Sequence, residues 1–110
     1  MIRESIGYSN ALFGFKSGFD KEGLSLGLKA GGYWPENESM GIPNHQSTIF
    51  LFDANTGKIS AIVGGNLLTA FRTAAASSIS INHLARKNSK VLGMIGAGPV
   101  SYTHLRAHET

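Results

Sequence analysis

The sequence predicts an α/β protein, and three observations support that class. Two pairs of short strand-like segments come first, and turn-forming residues join the members of each pair. A long segment with helically spaced apolar residues follows, starting near Asn66. A final apolar run then ends in Gly96-Ala97-Gly98. This order indicates a mixed sheet plus a long helix, leading into the first strand of a second α/β domain.

The individual elements follow from local patterns. Near alternation over 11–17 and 24–30, with turn residues between, predicts one hairpin, and 48–53 with 58–63 predicts another. Residues 32–47 contain two prolines and several turn formers, so they are expected to form an ordered loop. Asn66 is a plausible N-cap for a helix that extends to about Lys87. Its predicted apolar face consists of Leu68, Phe71, Ala75 and Ile79.

Composition narrows the functional classes. The 110 residues suit one small domain, and the absence of cysteine excludes disulfides and thiolate metal sites. No apolar run reaches the roughly 20 residues that span a bilayer, and the first ten residues do not resemble a signal peptide. The net charge of +3 is small, and the basic cluster near Lys87 complements a helix end. We therefore expect a cytoplasmic protein that binds neither membrane nor nucleic acid.

Lys29 is the most interesting single residue. Strand alternation places Leu26 and Leu28 on one face, and Gly27, Lys29 and Gly31 on the other. Glycines on both sides leave space around the ammonium group, which could bind a carboxylate or exchange a proton. The alternative is a solvated lysine on an exposed face, and spacing alone favours that alternative.

Arg72 and the glycine turn are further candidates. Arg72 lies among alanines and threonines without a carboxylate three or four residues away. It either binds an external carboxylate or phosphate, or extends along the helix to water. Gly96-Ala97-Gly98 follows a strand-like run, as in a dinucleotide-binding turn, although Ser101 stands where a third glycine or alanine is expected. No residues have metal-ligand spacing that we would assign to a metal site.

Several blocks together resemble the ornithine cyclodeaminase/μ-crystallin family. The resemblance covers about residues 11–98 and comprises, in order, Leu28-Lys29, Pro35-Glu36-Asn37, Gly41-Ile42-Pro43, Leu51-Phe52-Asp53 with Thr56-Gly57, 68–76 (LTAFRTAAA) and 93–98 (GMIGAG). The helix block is similar to the family's LTALRTAA. This resemblance implies an enzyme with a substrate-binding and dimerisation domain, followed by a Rossmann domain that binds NAD or NADP.

The resemblance also implies residue roles. Lys29 would contact the substrate carboxylate and take part in the chemistry, and Arg72 would lie between substrate and cofactor. Arg3 stands at a similar distance before Lys29 as a substrate-binding arginine of the family. Asn44 occupies a loop position that often faces the cofactor. Gly96, Ala97 and Gly98 would bind the cofactor's phosphates.

Departures from the family pattern lead to an expected domain division. Residues 1–88 would form part of the substrate-binding and dimerisation domain, 89–98 the start of a truncated Rossmann domain, and 99–110 a non-native, adapter-like tail. The family's turn continues with Gln-Ala, whereas Pro99-Val100-Ser101 follow here. The fragment alone is expected to be inactive.

The favoured activity of the intact protein is NAD-dependent conversion of ornithine to proline and ammonia by a homodimer. The alternative is NAD(P)H-dependent reduction of a ketimine such as Δ1-pyrroline-2-carboxylate. A non-catalytic crystallin-type nucleotide-binding protein is the third alternative. The small substrate would be an amino acid or a cyclic imino acid. The aspartate that distinguishes the cyclodeaminases lies downstream of this sequence in the family.

Overall fold

The computed structural model describes residues 2–98 and residue 101, and the side chains of residues 2 and 3 lie outside that description. The chain divides into two compact units, Met1–Asn66 and Leu67–Thr110. Most of the predicted tail, 99–110, falls outside the described residues.

The first unit is built on a five-stranded sheet. Its strands are β1 (Ile2–Tyr8), β2 (Ala11–Asp20), β3 (Ser25–Tyr33), β4 (His45–Asp53) and β5 (Ile59–Gly64), paired in chain order. Strands combined with a helix confirm the predicted class. Every described strand pair is antiparallel, so this sheet is a meander and not the mixed sheet that was expected. Short turns make three of the four connections between these strands, and a longer loop connects β3 to β4.

The first strand was not predicted. β1 pairs with β2 from Ile2 opposite Ser17 to Tyr8 opposite Ala11, and the two residues between the strands include Ser9 with φ of 54°. The segment does alternate, because Ile6 and Tyr8 share one face. Glu4 interrupts that face, which explains why the signal is weak.

The two faces of the sheet differ in chemistry. One face carries large apolar side chains, and those on the central strands are half-buried: Phe15, Leu26, Leu28, Phe50 and Phe52. The opposite face carries Lys16, Lys29 and the glycines beside them on β2 and β3, and we call this part the polar face. On β4 and β5 the same side of the sheet carries Ile49, Leu51 and Val63. Because neighbouring residues of a strand point to opposite faces, the apolar core and the polar face are both set by the register.

A tight turn between β4 and β5 is organised by Asp53. Its Oδ1 accepts hydrogen bonds from the Thr56 hydroxyl at 2.9 Å, the Thr56 N–H at 2.8 Å and the Asn55 N–H at 3.0 Å. Gly57 completes the turn with φ of 70°, a conformation that favours glycine. The hydrogen bond from the Thr56 hydroxyl, followed by those from the backbone, lowers the pKa of Asp53 below the ordinary value of an aspartate.

The lowered pKa predicts how acid affects this turn. The contribution of Asp53 to stability should be fully present above its unfolded pKa of about 3.9 and should be lost as pH falls through the lower folded pKa. We expect Asp53→Asn to reduce the acid dependence of unfolding below about pH 4. A carboxyl NMR titration of Asp53 checks this directly. A pKa at or above that of an unfolded aspartate would contradict it.

The second unit follows Asn66 and contains most of the helix α1 (Asn66–Leu84). The helix begins where the sequence predicts and ends about three residues earlier. Ala70 and Ala74 are buried, whereas Leu68, Phe71 and Ile79 are 48%, 54% and 61% exposed. The predicted residues therefore share one face of the observed helix, and that face is exposed, whereas the buried line is made of small side chains. Small residues permit closer packing than the leucine and phenylalanine that hydrophobicity alone singles out.

Residues 90–95 do not form the predicted strand. They carry no regular secondary structure, and Val91 and Ile95 are almost fully exposed. A β-strand is stabilised by hydrogen bonds to a neighbouring strand, and none of the strands described for residues 2–98 pairs with this segment. The start of a Rossmann domain at 89–98 therefore stays a prediction from sequence.

Candidate functional site

Lys29 lies in the middle of β3 and is half-buried. It occupies the polar face, as predicted. Gly27 and Gly31 flank it on that face. A Cβ at Gly31 would overlap the β4 backbone at Gln46 and Ser47, so glycine is required there for the close approach of the strands. The sheet thus holds the Lys29 backbone between β2 and β4. The positions two residues before and after Lys29 carry no side chain.

The strand register pairs further cationic residues, directly or through a neighbour, with Lys29. We call such a line of paired residues across the sheet a row. Lys16 on β2 is directly opposite Lys29, and Arg3 on β1 is directly opposite Lys16. Residues directly opposite each other in antiparallel strands point to the same face. Lys16 and Lys29 therefore point to the same face, and the backbone of the predicted substrate residue Arg3 lies in register with them on β1. Sequence analysis missed Lys16, because its place depends on pairing between strands.

A polar loop connects β3 to β4. Its 3₁₀ helix (Pro35–Met40) is closed by Gly41, which has φ of 72°. Asn44 Oδ1 accepts a hydrogen bond from the Glu38 N–H at 2.8 Å, and Asn44 Nδ2 lies 3.4 Å from the Tyr33 hydroxyl. Asn44 thus shapes the loop, and its predicted contact with a cofactor stays a prediction.

Side-chain amide groups tie this loop to the end of the sheet. Asn37 is only 7% exposed, and its Nδ2 donates to the Pro43 carbonyl at 3.0 Å. Gln46 Nε2 donates to the same carbonyl at 2.9 Å, and Gln46 Oε1 accepts from Asn66 Nδ2 at 3.1 Å. Asn66 Oδ1 accepts from the backbone N–H of buried Ser47 at 2.7 Å. We call these residues (Asn37, Pro43, Gln46, Ser47 and Asn66) the amide network.

Arg72 lies in the second turn of α1 and is exposed. Its helical neighbours Thr69 and Thr73 are half-buried, and the Thr73 hydroxyl donates to the Thr69 carbonyl at 2.6 Å. Arg72 and Lys29 belong to different units. Their joint action on one substrate therefore stays a prediction.

The glycine turn is exposed at Gly96, Ala97 and Gly98. Gly96 has φ of 97°, and an added Cβ at Gly98 would meet no atom within 4 Å. This backbone suits the tight turn and open approach that a pyrophosphate requires, although no strand precedes it.

Two further findings concern metal binding and membrane crossing in the described part of the chain. Residues 2–98 and 101 contain no group of three or more His, Cys, Asp or Glu arranged to hold a metal ion. Within the same residues, no helix is long and apolar enough to cross a membrane.

A family model decides the relationship of this chain to known proteins. The model of the "Ornithine cyclodeaminase/mu-crystallin family" matches residues 17–110. The chain belongs to this family. The match includes 99–110, the segment expected to be a non-native tail, and the origin of that segment stays a prediction.

Family members with known activities and structures resemble the chain over nearly its whole length. Iminosuccinate reductase of Paracoccus denitrificans is 64% identical over 107 residues, which are 97% of this chain and 33% of that protein. Its crystal structure in complex with NAD+ matches with a TM-score of 0.78 over 96% of this chain and 33% of that chain.

Two other family structures match the fold closely. Δ1-pyrroline-2-carboxylate reductase of Thermococcus litoralis, in complex with NADH and L-proline, is 34% identical, with a TM-score of 0.91 over 98% of this chain and 34% of that chain. A lysine cyclodeaminase is also 34% identical, with a TM-score of 0.88 over 97% of this chain and 32% of that chain. The chain thus spans about a third of the length of these relatives.

The amide network makes a prediction about stability. Asn66→Ala removes the acceptor of the buried Ser47 N–H and the donor to Gln46, so we expect a loss of about 1–3 kcal/mol in the free energy of unfolding. Urea unfolding of the protein expressed from its complete reading frame measures this loss. Asn88→Ala, at an exposed position after α1, is the matched control. Equal stability of the two variants would contradict the role assigned to Asn66.

Proposed function

We propose that the protein containing this chain is an NAD(P)H-dependent imine reductase that acts on α-imino acids. The observation that carries the proposal is the 64% identity to an iminosuccinate reductase over 97% of the chain. The position of Lys29 on a glycine-flanked sheet face supports it. The activity of the whole protein is a proposal because the chain spans 33% of that relative.

The reaction requires one hydride and one proton. A bound reduced nicotinamide supplies the hydride to the imine carbon. The C=N double bond becomes a C–N single bond as its nitrogen takes up a proton, which gives an amino acid. Lys29 would bind the α-carboxylate through its ammonium group and fix the imine carbon in position. Arg3 and Arg72 would add further cationic contacts to the substrate.

The chain's own residues fit a dinucleotide in one respect. The positive φ of Gly96 and the open space at Gly98 would admit a pyrophosphate beside the backbone, with Ala97 between them. Arg72 would approach the same cofactor from α1. NAD and NADP remain alternatives, because the acidic residue that selects NAD lies further along such folds.

Cyclodeamination is the second candidate. It was favoured by the sequence resemblance, and a lysine cyclodeaminase of 34% identity keeps it open. The reductase is now preferred because the iminosuccinate reductase is nearly twice as similar at the sequence level. A non-catalytic nucleotide-binding protein is the remaining alternative. The homodimer and the cytoplasmic location also stay proposals.

The first test compares activities of the protein made from its complete reading frame. We expect NAD(P)H oxidation in the presence of oxaloacetate and ammonium, which form iminosuccinate in solution. We also expect no release of ammonia from ornithine with NAD+. The reverse pattern would establish the cyclodeaminase, and cofactor binding without either reaction would favour the crystallin-type alternative.

A substitution tests Lys29 itself. Lys29→Ala should lower kcat/KM by at least about a hundredfold, because it removes a charge-assisted contact to the substrate carboxylate at the reacting centre. Lys58→Ala, in the exposed turn before β5, is a control with the same change of charge. Thermal unfolding of both variants verifies that the fold persists. Unchanged turnover of folded Lys29→Ala would exclude the proposed role.

A further inference from the structure

The geometry points to Lys16 as the residue that binds a second carboxylate of the substrate and so selects dicarboxylic imino acids. This inference rests on the proposed reductase function and deepens it. Lys29 would bind the carboxylate next to the reacting carbon. Lys16, one strand away, would bind the carboxylate at the far end of the same molecule.

The first observation is the pairing of the two lysines. Lys16 and Lys29 are directly opposite each other on β2 and β3, and their Cβ atoms are therefore about 4.5–5.5 Å apart. Like charges in such positions destabilise a sheet. A bound dianion would reduce the repulsion between the two ammonium groups. The pairing of two lysines on one face is therefore suited to a ligand with two negative charges.

The second observation is the set of glycines around the pair. The positions two residues before and after each lysine lie on the same face, and all four are glycine: Gly14, Gly18, Gly27 and Gly31. Close approach of neighbouring backbones explains Gly14 and Gly31. It does not explain Gly18, where an added Cβ would meet no atom within 4 Å. A requirement for free volume above the two ammonium groups explains Gly18.

The third observation concerns charge in the surrounding rows. The row of directly paired residues that contains Lys16 and Lys29 extends to Arg3 on β1. In the other direction it extends to Ile49 on β4 and Val63 on β5. No acidic residue occupies this row or the two rows beside it on the same face, within the strands that the structure describes. The cations are thus concentrated over β1–β3. A short dicarboxylate separates its charges by a distance comparable to the strand spacing of about 4.8 Å.

A purely structural explanation of Lys16 is weaker. Lysine is common on edge strands, where it prevents pairing with other chains. β2 is not an edge, because β1 and β3 pair along its two sides. Lys16 also lies on the opposite face from Phe15, so it does not cover the half-buried apolar face. The 64% identical relative is named for a dicarboxylic substrate, which agrees with the inference.

The test measures substrate preference in the protein made from its complete reading frame. Oxaloacetate with ammonium supplies a dicarboxylic imine, and pyruvate with ammonium supplies a monocarboxylic one. For Lys16→Ala, we expect the ratio of kcat/KM values, dicarboxylic over monocarboxylic, to fall by roughly ten- to a hundredfold through loss of a charged hydrogen bond. The loss should appear mainly in KM for oxaloacetate. Lys16→Arg should retain part of the preference.

Controls separate this inference from the proposed function. Lys21→Ala, in the exposed turn after β2, makes the same change of charge and should keep the wild-type ratio. If Lys16→Ala is unstable, Lys16→Gln takes its place, and the rise in melting temperature with succinate against butyrate measures binding without turnover. An unchanged ratio and equal melting shifts would overturn the role of Lys16 and leave the reductase intact. A wild-type protein that reduces neither imine would overturn both.

Discussion

The amide network is the constraint on which the rest of the first unit depends. The β3–β4 loop is long for this sheet, and its backbone needs hydrogen-bond partners that the strands do not supply. Asn37 and Gln46 both donate to Pro43, which fixes the loop at its end, and Asn66 then joins Gln46 and Ser47 at the end of the sheet. Side-chain amides can do this because each carries both donors and an acceptor. A fixed loop in turn fixes where β4 begins, and therefore the register of β4 against β3.

Register matters here because it determines which residues share a face. A shift of one residue between two strands would move every side chain to the opposite face. Lys29 would then lie among the large apolar residues, and Leu28 would lie among the glycines. Gly31 and Gly32 restrict such slippage, since an added Cβ at either position would overlap a neighbouring backbone. Gly31, which leaves space beside Lys29, therefore also helps to hold Lys29 in its position in the sheet.

Much of this fold could be predicted from sequence, but the parts that depend on tertiary contacts could not. The hairpins and the start of α1 follow from alternation, turn residues and the capping preference of Asn66. The strand expected at 90–95 was wrong because an apolar run becomes a strand only where a partner is available. Burial along the helix does not follow hydrophobicity, since Leu68 and Phe71 are exposed, while Ala70 and Ala74 are buried. Hydrophobicity ranks side chains by transfer to an apolar environment, and it does not report which face permits close packing.

The candidate site shows the same division at the level of single residues. Lys29 was recognisable from its own strand, since the glycines two residues on either side are visible in sequence. Lys16 has the same pattern, with Gly14 and Gly18. Its position opposite Lys29, however, depends on the pairing of β2 with β3 and is not visible in either strand's sequence. Pairing of β2 with β3 turns two separate patterns into one site with two positive charges and four small neighbours. The proposed preference for a dianionic substrate therefore follows from the pairing of the two strands. Neither lysine alone would predict it.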